Sequence, residues 1–153
     1  MGLLPGPPAR RLRRVGGALA LLALAACSGG ETSTLEFEGS SCAYDGSAEI
    51  HEALRLTFSN RSDEATSAVV FRIAGSTDLA DLEAAALADQ ATAILGGGFM
   101  DVPSLRRIEV GAGESGEFDR ALEPGRWVIA CVTSPTGTDR MYPAAVVDVS
   151  SGR

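Results

Sequence analysis

The sequence predicts an all-β domain with one inserted α-helix. Three observations carry this reading. Leu54-Arg55-Leu56-Thr57-Phe58-Ser59 alternates apolar and polar residues, the two-residue period of a half-buried strand. Glu123-Pro124-Gly125 is a Pro-Gly turn into Trp127-Val128-Ile129-Ala130-Cys131-Val132, apolar on both faces as a covered central strand is. Between them, Leu79, Leu82, Ala86 and Leu87 recur at helical spacing behind Ser76-Thr77-Asp78, a helix N-cap signal with an acid suited to the helix dipole.

The elements follow in chain order. Thr34-Leu35-Glu36-Phe37-Glu38 alternates and opens the domain. Residues 51–60 form a strand with Leu54, Leu56 and Phe58 on one face, closed by the turn Asn60-Arg61-Ser62-Asp63. Residues 68–74 form a third strand with Val69, Phe71 and Ile73 inward. The helix ends between Gln90 and Leu95, before Gly96-Gly97-Gly98, and is expected to cap one end or edge of the sandwich. Strands over 105–110, 114–120, 126–133 and 144–150 complete the set. No internal repeat or second domain is visible.

The N-terminus reads as an address. Arg10, Arg11, Arg13 and Arg14 precede an uncharged run over 15–26, too short for a helix that must span roughly 30 Å of hydrocarbon. The run closes on Leu24-Ala25-Ala26-Cys27, which resembles the lipobox of bacterial lipoproteins. The resemblance implies cleavage before Cys27 and acylation of its thiol, so that Cys27 is the first mature residue and the lipid anchor. Both Sec and Tat export are compatible with the paired arginines. The resulting layout is a signal peptide over 1–26, a tether over 27–33 and a domain over 34–153. The expected location is the extracytoplasmic face of the cell membrane.

Charge narrows the partners. The 153 residues carry 20 acidic side chains and 13 arginines, for a net charge of −7. All of the acids but only nine arginines follow Cys27, which leaves the mature domain near −11. Such a surface repels phosphates, so no nucleic acid is expected. The lipid, not the protein surface, is expected to hold the domain at the bilayer. His51 is the single histidine, which excludes any multi-histidine metal site. Beyond Cys27 the cysteines are Cys42 and Cys131. Export to an oxidising compartment favours their pairing. Closing the intervening 88 residues removes unfolded-state entropy worth about 4–5 kcal/mol.

From Leu54 to Val149 the chain resembles the cupredoxin-like family. The matching pieces are Leu56-Thr57-Phe58-Ser59-Asn60, then Leu122-Glu123-Pro124-Gly125-Arg126-Trp127-Val128-Ile129-Ala130-Cys131, then the closing strand over 144–149. The resemblance implies a Greek-key β-sandwich. It also implies a type 1 copper site of two His, one Cys and usually a Met. Cys131 and Met141 fall at fitting positions. The two histidines are missing: the first region reads Asp63-Glu64-Ala65-Thr66-Ser67, and no His lies between Cys131 and Met141. Imidazole nitrogens make that site tight, so the electron-transfer role is not inherited.

Other motifs weigh less. Gly111-Ala112-Gly113-Glu114-Ser115-Gly116 matches G-x-G-x-x-G, but Glu117-Phe118-Asp119-Arg120 opens no helix to hold a pyrophosphate, and Glu114 repels one. His51 with Glu49 and Glu52 reads as a solvated strand end, Trp127 as core, and Gly96-Gly97-Gly98-Phe99-Met100 as a helix exit that could also form a binding loop. Asn60-Arg61-Ser62 fits a glycosylation sequon, of little meaning in a bacterial lipoprotein. No catalytic, cofactor-binding or metal-binding residue is assigned. The expected function is a non-enzymatic, membrane-anchored module that binds a protein or small molecule. The alternative is a copper-handling or electron-transfer protein with an atypical site using Met100, Met141, His51 or carboxylates.

Overall fold

In a computed structural model the described residues are 32–73, 75–87, 94, 100, 104–135 and 137–151. They form nine strands and one helix: β1 (Thr32–Phe37), β2 (Cys42–Asp45), β3 (Glu49–His51), β4 (Ala53–Asn60), β5 (Thr66–Arg72), α1 (Leu79–Leu87), β6 (Arg106–Val110), β7 (Ser115–Ala121), β8 (Gly125–Thr133) and β9 (Arg140–Ser150). Four strands make one sheet in the order β2-β1-β4-β7, and five make the other in the order β3-β9-β8-β5-β6. Most pairs are antiparallel; β1 with β4 and β3 with β9 are parallel. The connection from β6 to β7 changes sheet, and β8 returns to lie beside β5. That return is a Greek key. The all-β Greek-key sandwich with one inserted helix is therefore the fold of the described chain.

The alternation read in the sequence sets the core. Leu54, Leu56 and Phe58 of β4 all point between the sheets and are buried. Leu35 and Phe37 of β1, Val70, Phe118, Trp127, Ile129 and Val147 meet them there. Each such side chain, fully buried, contributes about 1.5–3 kcal/mol of apolar transfer free energy. Trp127 is core, as expected, and its indole N–H is satisfied by the Glu123 carbonyl at 2.8 Å.

The five-stranded sheet is covered on its other face too. Val69, Phe71, Ile73, Val128, Ala130, Val132 and Met141 form a second cluster with Leu82 and Ala85 of α1. Val69, Phe71 and Ile73, expected to face the sandwich interior, therefore face away from it, on the helix side. Ala68 and Val70 take the interior positions. Residues of β5 from Thr66 to Phe71 are buried on both faces, so alternation could not tell which face was which.

Four boundaries differ from expectation. β1 starts at Thr32, so Thr32 and Ser33 belong to the sandwich and not to the tether. Ser33 is buried, with its hydroxyl 3.0 Å from that of Tyr44. The strand expected over 51–60 is broken into β3 and β4 at Glu52, whose φ is +68°. That left-handed backbone, uncommon for a residue with a Cβ, lets β3 join the second sheet while β4 stays in the first. The segment after β1 forms the short edge strand β2, and β9 begins at Arg140, ahead of the strand expected over 144–150. On α1 the inward residues are Leu82 and Ala85; Ala86 is half-buried and Leu87 is 89% exposed. The N-cap reading holds: the Asp78 carboxylate accepts from the Asp81 N–H at 2.9 Å, and the Asp81 carboxylate accepts from the Asp78 N–H at 3.1 Å. Helix residues expected beyond Leu87 lie mostly outside the described part, as do Ala74 and Gly96-Gly97-Gly98-Phe99. Met100 is described and buried, bridging Ile73.

Candidate functional site

The loop end of the sandwich gathers the turns after β1, β4, β6 and β8. Asn60 organises it. The last residue of β4, it is 1% exposed. Its amide nitrogen lies 2.7 Å from the Glu64 carbonyl, 3.2 Å from that of Val110 and 3.0 Å from that of Gly111. Its Oδ1 accepts from the Ser62 N–H at 3.0 Å and from the Ser62 hydroxyl at 2.7 Å. This is an Asx turn that also clamps the β4–β5 loop to the β6–β7 turn. The Asn60-Arg61-Ser62 sequon is thus a structural element with its amide already spent.

Cys131 lies on β8, fully buried in the inter-sheet core, and is bonded to Cys42 on β2 with Cα atoms 5.9 Å apart. The disulfide expected from the cysteine count is present. It crosses from one sheet to the other and ties the edge strand β2 to the central strand. Met141 takes the other side. Across β8–β9, Cys131 pairs with Tyr142 and Val132 with Met141. Neighbours in register share a face, so Tyr142 packs toward the inter-sheet core and Met141 toward α1. The thioether and the cysteine sulfur do not converge. A type 1 centre needs two imidazoles, a thiolate and usually a thioether on one metal. Here the imidazoles are missing from both loops, the thiolate is a disulfide sulfur, and the thioether faces the opposite side. The residues present do not fit that ion.

Two concavities lie beside this end and share Arg140 and Tyr142. The smaller, about 250 Å³, is lined by Phe37, Ser62, Asp63, Glu64, Thr133 and Tyr142 among others. The larger, about 630 Å³, runs between α1 and β9 past Ser41, Cys42, Glu83 and Leu87. The second volume is in the range of small-molecule sites. Tyr142 is fixed against Phe37, with ring centroids 5.1 Å apart and planes tilted by 55°. Arg140 and Tyr142 were not singled out from the sequence. Their exposed–buried–half-buried alternation through Met141 is a weak strand signal, and only the fold brings α1 and the β1–β2 turn beside them.

The remaining candidates fall elsewhere. His51 is exposed at the far end of β3–β9, its Nδ1 2.9 Å from the Ser150 hydroxyl. Glu49 shares its face of β3, while Glu52 turns out of the strand. Among the described residues no group of three His, Cys, Asp or Glu side chains is placed to hold a metal. Gly111 to Glu114 is a tight turn, the Glu114 N–H donating to the Gly111 carbonyl at 3.1 Å, and β7 follows it directly. Leu24-Ala25-Ala26-Cys27 lies outside the described residues.

Fold and site together define a Greek-key β-sandwich whose central-strand cysteine is bonded to a second cysteine. No family model and no curated protein matches the chain. Among solved structures the chain is similar to auracyanin from the photosynthetic bacterium Roseiflexus castenholzii, at 23% identity over 76% of this chain and 94% of that one, with a TM-score of 0.42. It is similar to auracyanin B at 20% identity, covering 76% and 86%, with a TM-score of 0.38. It is also similar to auracyanin A, a "blue" copper protein from Chloroflexus aurantiacus, at 16% identity, covering 78% and 96%, with a TM-score of 0.41.

Proposed function

We propose that this chain is a membrane-anchored, extracytoplasmic lipoprotein whose cupredoxin-like domain carries no type 1 copper and serves as a non-catalytic binding module. The observation that carries the reading is the bond between Cys131 and Cys42. It removes the sulfur that a copper-thiolate centre depends on. The anchoring half rests on Leu24-Ala25-Ala26-Cys27 and the run that precedes it.

The binding half rests on the paired concavities around Arg140 and Tyr142. There a guanidinium, a phenol and the carboxylates of Asp63, Glu64 and Glu83 line open space. These groups orient a ligand by hydrogen bonds and charge. The His51–Ser150 pair sits at the opposite end of β9 from both concavities.

The test is fractionation of producing cells. The full chain is expected in the membrane fraction with an acylated Cys27, and Cys27→Ser is expected in the soluble fraction. Membrane retention of the unacylated variant contradicts the reading.

A further inference from the structure

Arg140 is unlike the other arginines. The described residues include eight. Arg55, Arg61, Arg72 and Arg126 stand in ion pairs with carboxylates. Arg107 reaches the Ser67 hydroxyl at 2.8 Å, and Arg106 and Arg120 each donate to the carbonyl of the preceding residue. Arg140 has no side-chain hydrogen bond or ion pair to any described residue. Two positions along β9, Tyr142 shares its face of the strand. The Tyr142 hydroxyl is unpartnered among the described residues as well, whereas that of Tyr44 bonds Ser33 and donates to the Ser47 carbonyl.

The facing wall of the larger concavity belongs to α1. Glu83, Ala86 and Leu87 stand at i, i+3 and i+4, on one face of the helix, and all three line the space. The Glu83 carboxylate has no side-chain partner among the described residues. Leu87, 89% exposed, is the one large apolar side chain among them left open to solvent. An apolar group laid over it gains free energy in proportion to the area removed from water. Ser40, Ser41 and Pro143 complete the rim.

A free cation and a free anion thus line one space without pairing to each other. A simple anion is opposed by Glu83 and by the domain's charge, near −11 from 20 carboxylates and nine arginines after Cys27. A simple cation is opposed by Arg140. A ligand carrying both charges meets neither penalty. We propose that the larger concavity binds a short apolar peptide with both termini free. Its carboxylate takes the Arg140 guanidinium, whose planar fork matches a carboxylate, together with the Tyr142 hydroxyl. Its ammonium takes Glu83, its side chains cover Leu87, Ala86 and Pro143, and the Ser40 and Ser41 hydroxyls serve its amide. The volume, about 630 Å³, is in the range of small-molecule sites. The proposal rests on the binding-module reading and gives that module a ligand class.

The experiment is calorimetric titration of the full lipidated chain in a non-ionic detergent with the dipeptide Leu-Leu, its N-acetyl form, its C-terminal amide, and free leucine. Leu-Leu is expected to bind with a Kd of about 1 mM or tighter. Each blocked form is expected to bind about tenfold more weakly, having lost one charged hydrogen bond. Leucine, which lacks the amide, is expected to bind more weakly than Leu-Leu. Arg140→Gln should weaken Leu-Leu and no longer distinguish the amide from the free acid. Glu83→Gln should no longer distinguish the acetylated form from the free amine. Leu87→Asp should weaken all the peptides. Equal affinity for free and blocked peptides overturns the proposal, as does full discrimination retained by both charge variants. Leucine binding as tightly as Leu-Leu overturns the peptide assignment. Absence of Leu-Leu binding overturns the site but leaves the anchored, copper-free reading to cell fractionation and the thiol count. Release of leucine from Leu-Leu contradicts the non-catalytic reading, while the discrimination between free and blocked ends still decides the site.

Discussion

Cys131 and Met141 lie on adjacent strands yet face opposite sides of the same sheet, one toward the inter-sheet core and the other toward α1. A one-residue offset in register is enough to separate them, because successive side chains along a strand alternate faces. The two sulfurs therefore have different work. That of Cys131 closes a bond to Cys42, and that of Met141 packs among Val132, Val128 and Leu82.

The disulfide is expected to resist reagents. Cys131 is fully buried, so an attacking thiolate can approach only from Cys42 and must expel a thiolate into an apolar core. Alkylation of the native protein should modify neither residue until reductant and denaturant are both present, as read by intact mass. Reduction is expected to lower stability by about 2–5 kcal/mol. Full alkylation by reductant alone, without loss of stability, contradicts a structural bond.

The helix is expected to be held by Leu82. It is completely buried beside Met141 and Val128, whereas Leu87 is 89% exposed. Leu82→Asp should cost about 3–5 kcal/mol, since it removes an apolar side chain and buries a carboxylate. Leu87→Asp should move stability by less than about 0.5 kcal/mol. Urea unfolding of the two variants checks the contrast, and equal costs refute it.

Asn60→Ala is expected to cost about 1–3 kcal/mol. It leaves the carbonyls of Val110 and Gly111 without their side-chain donor and frees the β4–β5 loop. Thermal unfolding gives the loss, and hydrogen exchange should quicken at Ser62, whose N–H now binds Asn60. Unchanged exchange there would remove Asn60 from its organising place.

Gly46→Ala tests how tightly the first strand is seated. A Cβ at position 46 would collide with the Ser33 hydroxyl and come within 2.6 Å of that of Tyr44. The clash is expected to cost about 1–3 kcal/mol. Ser33→Ala combined with it should recover part of that loss, a non-additivity that a double-mutant cycle reads directly. Strict additivity would show that the two residues do not meet.

Much of the fold was legible where one face of a strand is wet. Leu54, Leu56 and Phe58 announced β4 because Arg55, Thr57 and Ser59 alternate with them. The same logic failed on β5, which is buried on both faces and offers no polar phase to read. The break at Glu52 carried no signal, since a left-handed backbone is usually marked by glycine and here it is not. On α1 three adjacent alanines, Ala84, Ala85 and Ala86, made the inward position ambiguous to spacing alone. The disulfide came from counting cysteines in an exported chain. Arg140 and Tyr142 could not be read as site residues. Their neighbours there, Glu83 and Ser41, are far off in sequence and meet them only through the sandwich.

The central claim is that the Cys131 sulfur belongs to Cys42 and not to a metal. Titration of the purified, unreduced protein with Cu(II), followed by visible absorption alongside a count of free thiols in the unfolded chain, tests it most directly. The account predicts no intense blue band and no reactive thiol at Cys42 or Cys131. A stoichiometric blue band together with a free Cys131 thiol would contradict it and favour the copper-handling or electron-transfer alternative.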